Sequence, residues 1–136
     1  TINVNLSKTL ILGKTTINGK TFYIGGNGKL VRFINLYEND QPAEVFGDFK
    51  IKDFLNLLNV LDAQKLSQNK IDKYYYYKNK RWDLLFANGL TLKLPNKNID
   101  NSIKIFKTLL DNKSLTNAKI VDLRIRNQII ISNANE

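Results

Sequence analysis

Leu90, Leu92 and Leu94 alternate with Thr91 and Lys93, and after Pro95 the apolar residues Ile99, Ile103, Phe106, Leu109 and Leu110 recur at helical spacing. This change of period, from two to 3.6, sets a half-buried strand directly before an amphipathic helix. A chain that does this must bury a sheet face and a helix stripe against each other. Another helix is read at Ile51, Phe54, Leu55, Leu58 and Leu61, with an extended piece, residues 43–46, ahead of it. Asp48 stands where the N-cap of the first helix is expected. Asn98 and Asp100 supply caps and negative charge at the start of the second, and Asp111-Asn112-Lys113 closes it.

The remaining apolar runs read as strands. Ile2, Val4 and Leu6 alternate with asparagines, residues 10–16 form a further strand, and Asn18-Gly19 is a hairpin turn leading into Thr21-Phe22-Tyr23-Ile24. Gly25-Gly26-Asn27-Gly28 reads as a turn, because a strand-like run over residues 30–34 follows it rather than a helix with P-loop spacing. Tyr74, Tyr75, Tyr76 and Tyr77 lie in a strand, so two rings should face inward and two outward. Arg81 to Phe86 is the next strand, and Asn88-Gly89 turns the chain into Leu90. After the second helix come Ile120 to Ile125, a turn or bulge at Arg126-Asn127-Gln128, and a short last strand at Ile129-Ile130-Ile131. The order gives an α+β fold, a mixed or antiparallel sheet with two helices packed on one face. No internal repeat is visible.

Little catalytic chemistry is available. The 136 residues contain no histidine and no cysteine. That excludes disulfides, thiol catalysis and the Ser-His-Asp and Cys-His arrangements. The carboxylates are scattered. Asp83 and Asp122 sit inside strand-like runs, each two residues from an arginine, and are read as surface residues or as partners of Arg81 and Arg124 rather than as buried catalytic acids. No cofactor or metal is implied. The formal net charge is +9, yet only four of the 21 basic residues are arginines, and the lysines are spread along the chain. This reads as a solvated face, with binding of nucleic acid or another anionic polymer through lysines and the four-tyrosine strand as the alternative. No run is apolar enough to span a bilayer. The chain opens at Thr1 within a strand-like run, as a piece cut from a longer protein would.

Arg81-Trp82-Asp83-Leu84, then Asn88-Gly89, then Leu92-Lys93-Leu94-Pro95, a helix, and Val121-Asp122-Leu123-Arg124 form an ordered set. The set resembles the C-terminal β domain of the bacterial division proteins FtsQ/DivIB, most closely the alphaproteobacterial FtsQ branch. Upstream, Asn18 to Ile24, Asn27 to Val31 and Ala43 to Gly47 are similar to the family's strand pair and its pre-helix segment.

The resemblance implies a non-enzymatic scaffold outside the membrane, on the periplasmic side of the bacterial inner membrane. Residues 1–8 would then be a remnant of the last POTRA strand and 9–136 the β domain. The parent would be anchored by a single helix absent from this chain. The implied partners are FtsB-like and FtsL-like division proteins, with no nucleic acid. Strand addition is expected at an open edge over Asn127, Gln128, Ile129, Ile130, Ile131 and Ser132. Arg124 and Ile125 take the family's partner-contact positions, and Lys80 and Arg81 form a neighbouring basic patch.

Overall fold

The computed structural model describes residues 11–32 and 42–133. The expected strand over residues 1–8, the first half of the 35–48 loop and the end of the C-terminal tail lie outside them. Within the described residues nine strands form one mixed sheet: β1 (Ile11–Ile17), β2 (Lys20–Gly25), β3 (Leu30–Val31), β4 (Glu44–Phe46), β5 (Ile71–Tyr76), β6 (Trp82–Phe86), β7 (Thr91–Lys93), β8 (Ala118–Asp122) and β9 (Ile130–Asn133). Two helices, α1 (Ile51–Ala63) and α2 (Ile99–Asp111), complete the fold. The expected α+β class holds.

Across the sheet the order is β3-β2-β1-β4-β5-β6-β7-β8-β9. β1–β4, β4–β5 and β7–β8 are parallel pairs, and the other neighbours are antiparallel. α1 joins β4 to β5 and α2 joins β7 to β8, so each crosses between parallel neighbours. The two crossovers start from strands of the same direction and step the same way along the sheet. A right-handed hand for both therefore puts both helices on one face. The ring contacts agree: Phe54 of α1 lies 6.0 Å from Trp82, and Phe106 of α2 lies 5.3 Å from Phe86, on the same face of β6.

The chain from β4 to β9 is thus two successive βαββ units, β4-α1-β5-β6 and β7-α2-β8-β9. One apolar row crosses both under the helices: Val45, Tyr74, Leu84, Leu92, Val121 and Ile131 are successive ladder partners. The first five are almost wholly buried, and Ile131 at the end is half-buried. The row loses its cover where the sheet ends.

Asp48 is not the cap of α1. The N-cap is Lys50, without a side-chain cap bond. The helix start is fixed instead by Phe49, which packs on Phe54 (6.0 Å between ring centroids) and on Trp82, a hydrophobic staple. Asn98 does occupy the N-cap of α2, but at φ 56°, and its side chain makes no cap bond. Both helices end alike. Leu66 N–H bonds to Leu61 C=O and Lys65 N–H to Asp62 C=O; Ser114 N–H bonds to Leu109 C=O and Lys113 N–H to Leu110 C=O. These are Schellman closures with a lysine in the left-handed position that glycine usually takes.

β1 touches β4 through a single ladder pair, Lys14 with Glu44. Just past it, Thr15 Oγ1 donates to Val45 C=O at 2.8 Å. A buried hydroxyl there continues the seam between the β1–β3 meander and the two βαββ units.

Candidate functional site: the β8–β9 edge

The second unit ends in β9, which pairs with β8 and has no strand on its other side among the described residues. β9 lies over Ile130–Asn133, slightly later than the expected Ile129-Ile130-Ile131. Asn127, Gln128 and Ile129 belong to the loop before it. The register sets Ile130 opposite Asp122, Ile131 opposite Val121 and Ser132 opposite Ile120. Ile131 therefore turns to the helix side. Ile130 and Ser132 turn to the open face of the sheet. Ile125, Ile129 and Ile130 are 51%, 48% and 44% exposed, unusual for β-branched residues so close together. Asn127 holds φ 62°, and Gln128 N–H bonds to Ile125 C=O, which folds the loop into a turn.

On the open face a second row crosses the sheet: Phe46, Tyr75, Asp83, Lys93, Asp122 and Ile130. Its charges alternate through Asp83, Lys93 and Asp122, which favours cross-strand attraction. Arg81 and Arg124 flank it. Arg81 Nη1 lies 2.6 Å from Asp83 Oδ1, its guanidinium sits over the Tyr77 ring at 4.8 Å, and Nη1 also reaches Leu94 C=O at 3.4 Å. Arg124 grips Asp122 with two bonds, Nε to Oδ1 at 2.8 Å and Nη2 to Oδ2 at 2.6 Å. The Arg124 bonds hold the Asp122 carboxyl below its ordinary range, while Asp122 raises the Arg124 guanidinium. Burial, and then the Asp83 carboxylate, push the Tyr77 hydroxyl up. The pairing of both aspartates with their neighbouring arginines follows the sequence reading.

Of the ten partner-binding residues expected, eight divide between the edge and the turn beside it. Ile130, Ile131 and Ser132 are on β9; Arg124, Ile125, Asn127, Gln128 and Ile129 precede it. Arg81 lies on the same open face but is largely covered by Tyr77 and Asp83. Lys80 is set apart: it takes φ 66° in the β5–β6 turn, with its N–H on Tyr77 C=O, and its place is explained by that turn. The sequence reading missed Lys93 as a member of the charged row and Tyr77 as the ring beneath Arg81. Their period-two spacing from Tyr75 and Thr91 carried that signal.

The two inward rings expected of the tyrosine run are Tyr74 and Tyr76, which pack on Trp82. The two outward rings already have neighbours: Tyr75 stacks on Phe46 at 5.1 Å, and Tyr77 lies under Arg81. Among the described residues no group of acidic, histidine or cysteine side chains is placed to hold a metal ion. No helix among them is long and apolar enough to cross a membrane.

A family model described as cell division protein FtsQ/DivIB, C-terminal, matches residues 15–124. The chain belongs to the FtsQ/DivIB family. The match runs from β1 to Arg124, so β9 lies beyond it. No curated protein matches the chain. Membership gives the domain a role in cell division, in a family of membrane-anchored scaffold proteins.

Proposed function

We propose that this FtsQ/DivIB domain is a docking module of the division machinery, without catalysis of its own, that takes up a partner's extended segment on the free side of β9. The observation that carries the reading is the position of β9. It is the last strand of the sheet, with β-branched, exposed residues and with neither proline nor charge within it. Such an edge offers unpaired N–H and C=O groups to a foreign strand. The partners are FtsB-like and FtsL-like proteins, on the periplasmic side of the inner membrane. The parent is anchored by one helix upstream, and residues 1–8 are the end of a POTRA domain. Ile125, Ile129 and Ile130 supply apolar contact. Arg124, half-exposed though paired, and Lys80 meet acidic side chains at the rim.

Calorimetric titration with an extracytoplasmic FtsB-like peptide tests this. The parent should bind and a folded Ile130→Pro variant should not; equal affinity overturns strand addition at β9.

A further inference from the structure

Three Asn-Gly pairs turn the chain between strands, and they are not built alike. Between β2 and β3, Gly28 N–H bonds to Gly25 C=O at 2.9 Å, and Asn27 Oδ1 accepts from Lys29 N–H at 3.0 Å. Between β6 and β7, Gly89 N–H bonds to Phe86 C=O at 2.9 Å, and Asn88 Oδ1 accepts from Leu90 N–H at 3.0 Å. Each is a three-residue loop closed by the N–H of its own glycine, with the asparagine side chain held forward in an Asx turn.

The turn between β1 and β2 is one residue shorter. Ile17 pairs directly with Lys20, and Asn18 and Gly19 take φ 52° and 78°, the two left-handed residues of a type I′ turn. Closure falls to the Ile17–Lys20 pair. Among the described residues Gly19 N–H therefore has no acceptor, and the Asn18 side chain bonds to nothing. Both residues are exposed, and the space around the Gly19 Cβ position is open. A backbone nitrogen beside an asparagine amide can attack it once deprotonated, and glycine puts no side chain in the way. Only at this pair are nitrogen and amide both unengaged.

We propose that Asn18 is a self-modification site, deamidating through a succinimide shared with Gly19, and that its isoaspartyl product unfastens the β1–β3 meander from β4. Gly19 N gives its proton to water and attacks Asn18 Cγ. The N–Cγ bond forms, the Cγ–Nδ2 bond breaks, and Nδ2 takes a proton from water and leaves as ammonia. Water then adds to the ring and opens it. Cleavage at Cγ leaves an aspartate. Cleavage at the Asn18 main-chain carbonyl leaves an isoaspartate, whose backbone runs on through Cβ and Cγ. Nothing is oxidised or reduced.

Isoaspartate lengthens the backbone by a methylene, which a two-residue turn cannot hold while Ile17 stays paired with Lys20. The distortion passes down β1 to its weakest join, the Lys14–Glu44 pair and the Thr15–Val45 bond just below the turn. β9 lies toward the other end of the sheet, so the change is independent of docking there.

The full chain is aged at mildly alkaline pH, digested, and mapped by mass spectrometry with the aspartate and isoaspartate forms separated. Asn18 should convert at least about tenfold faster than Asn27 or Asn88, because each of those must first give up two hydrogen bonds. In urea the three rates should draw together. Amide hydrogen exchange of the isolated isoaspartyl chain should be faster in β1 and β2 and unchanged in β9. An Asn18→Gly variant, which keeps the turn type, should age without this change. Equal rates at the three pairs in the folded chain, or no conversion at Asn18, overturn the site. An isoaspartyl chain whose β1 exchanges like the parent's overturns the unfastening.

Discussion

Asp122 and Ile130 face each other across the β8–β9 ladder, so the carboxylate that grips Arg124 stands beside the most exposed isoleucine of the edge strand. The turn between the strands is tied down from the β8 side. Asp122→Asn should loosen that turn and, with Arg124 half-exposed and its charge screened by water, cost no more than about 1 kcal/mol. The folded carboxyl titrates below its ordinary value, so its contribution is full above that value and is lost as pH falls through the lowered one. Urea midpoints of parent and variant should differ at pH 7 and converge below about pH 4.

Gly47 passes against the backbone of Tyr76. A Cβ on it would lie 2.3 Å from the Tyr76 carbonyl oxygen, at φ 106°. Gly47→Ala should cost about 3 kcal/mol or more, because backbone on both sides has to move. Gly19 is also left-handed but has open space around its Cβ position, so Gly19→Ala should cost only about 1 kcal/mol. Chemical denaturation of the two variants side by side checks the difference.

The helix ends leave room for improvement. Lys50→Ser places a cap side chain where none bonds now, and should add about 0.5–1 kcal/mol. Lys65→Gly should add a similar amount, about 0.5–1 kcal/mol, by relieving the left-handed conformation at φ 59°. A rise in thermal midpoint for each, additive in the double variant, is the expected result.

Thr15→Val keeps the shape of the side chain and removes the hydroxyl that bonds Val45. The stranded carbonyl should cost about 1–2 kcal/mol. Because β1 meets β4 at one ladder pair, hydrogen exchange should accelerate in β1 and β2 before β5 or β6.

The sheet, both helices and the pairing of Asp83 and Asp122 with their arginines were legible in the chain, because period and turn chemistry report burial directly. Leu90, Leu92 and Leu94 are all buried as their alternation requires. The two-unit architecture was not legible. Equivalent places in the two units carry different residues, Leu84 where the second unit has Ile131 and Tyr74 where it has Val121, so no repeat shows in the letters. The caps misled for a different reason. Asp48 has the right chemistry, but Phe49 fixes the entry to α1 two residues later by packing, and Asn98 spends its tolerance of left-handed φ on the chain reversal itself. The left-handed φ at Lys80 likewise follows from turn geometry that a lysine does not announce, whereas the turn at Asn127 was read from the chain.

The most direct measurement is amide hydrogen exchange across the chain, with and without a saturating extracytoplasmic FtsB-like segment. The account predicts that protection rises most at Ile130–Asn133, through new backbone bonds on the free side of β9, while β3 at the other end of the sheet is unchanged. Saturated binding that leaves exchange in β9 as it was would contradict it.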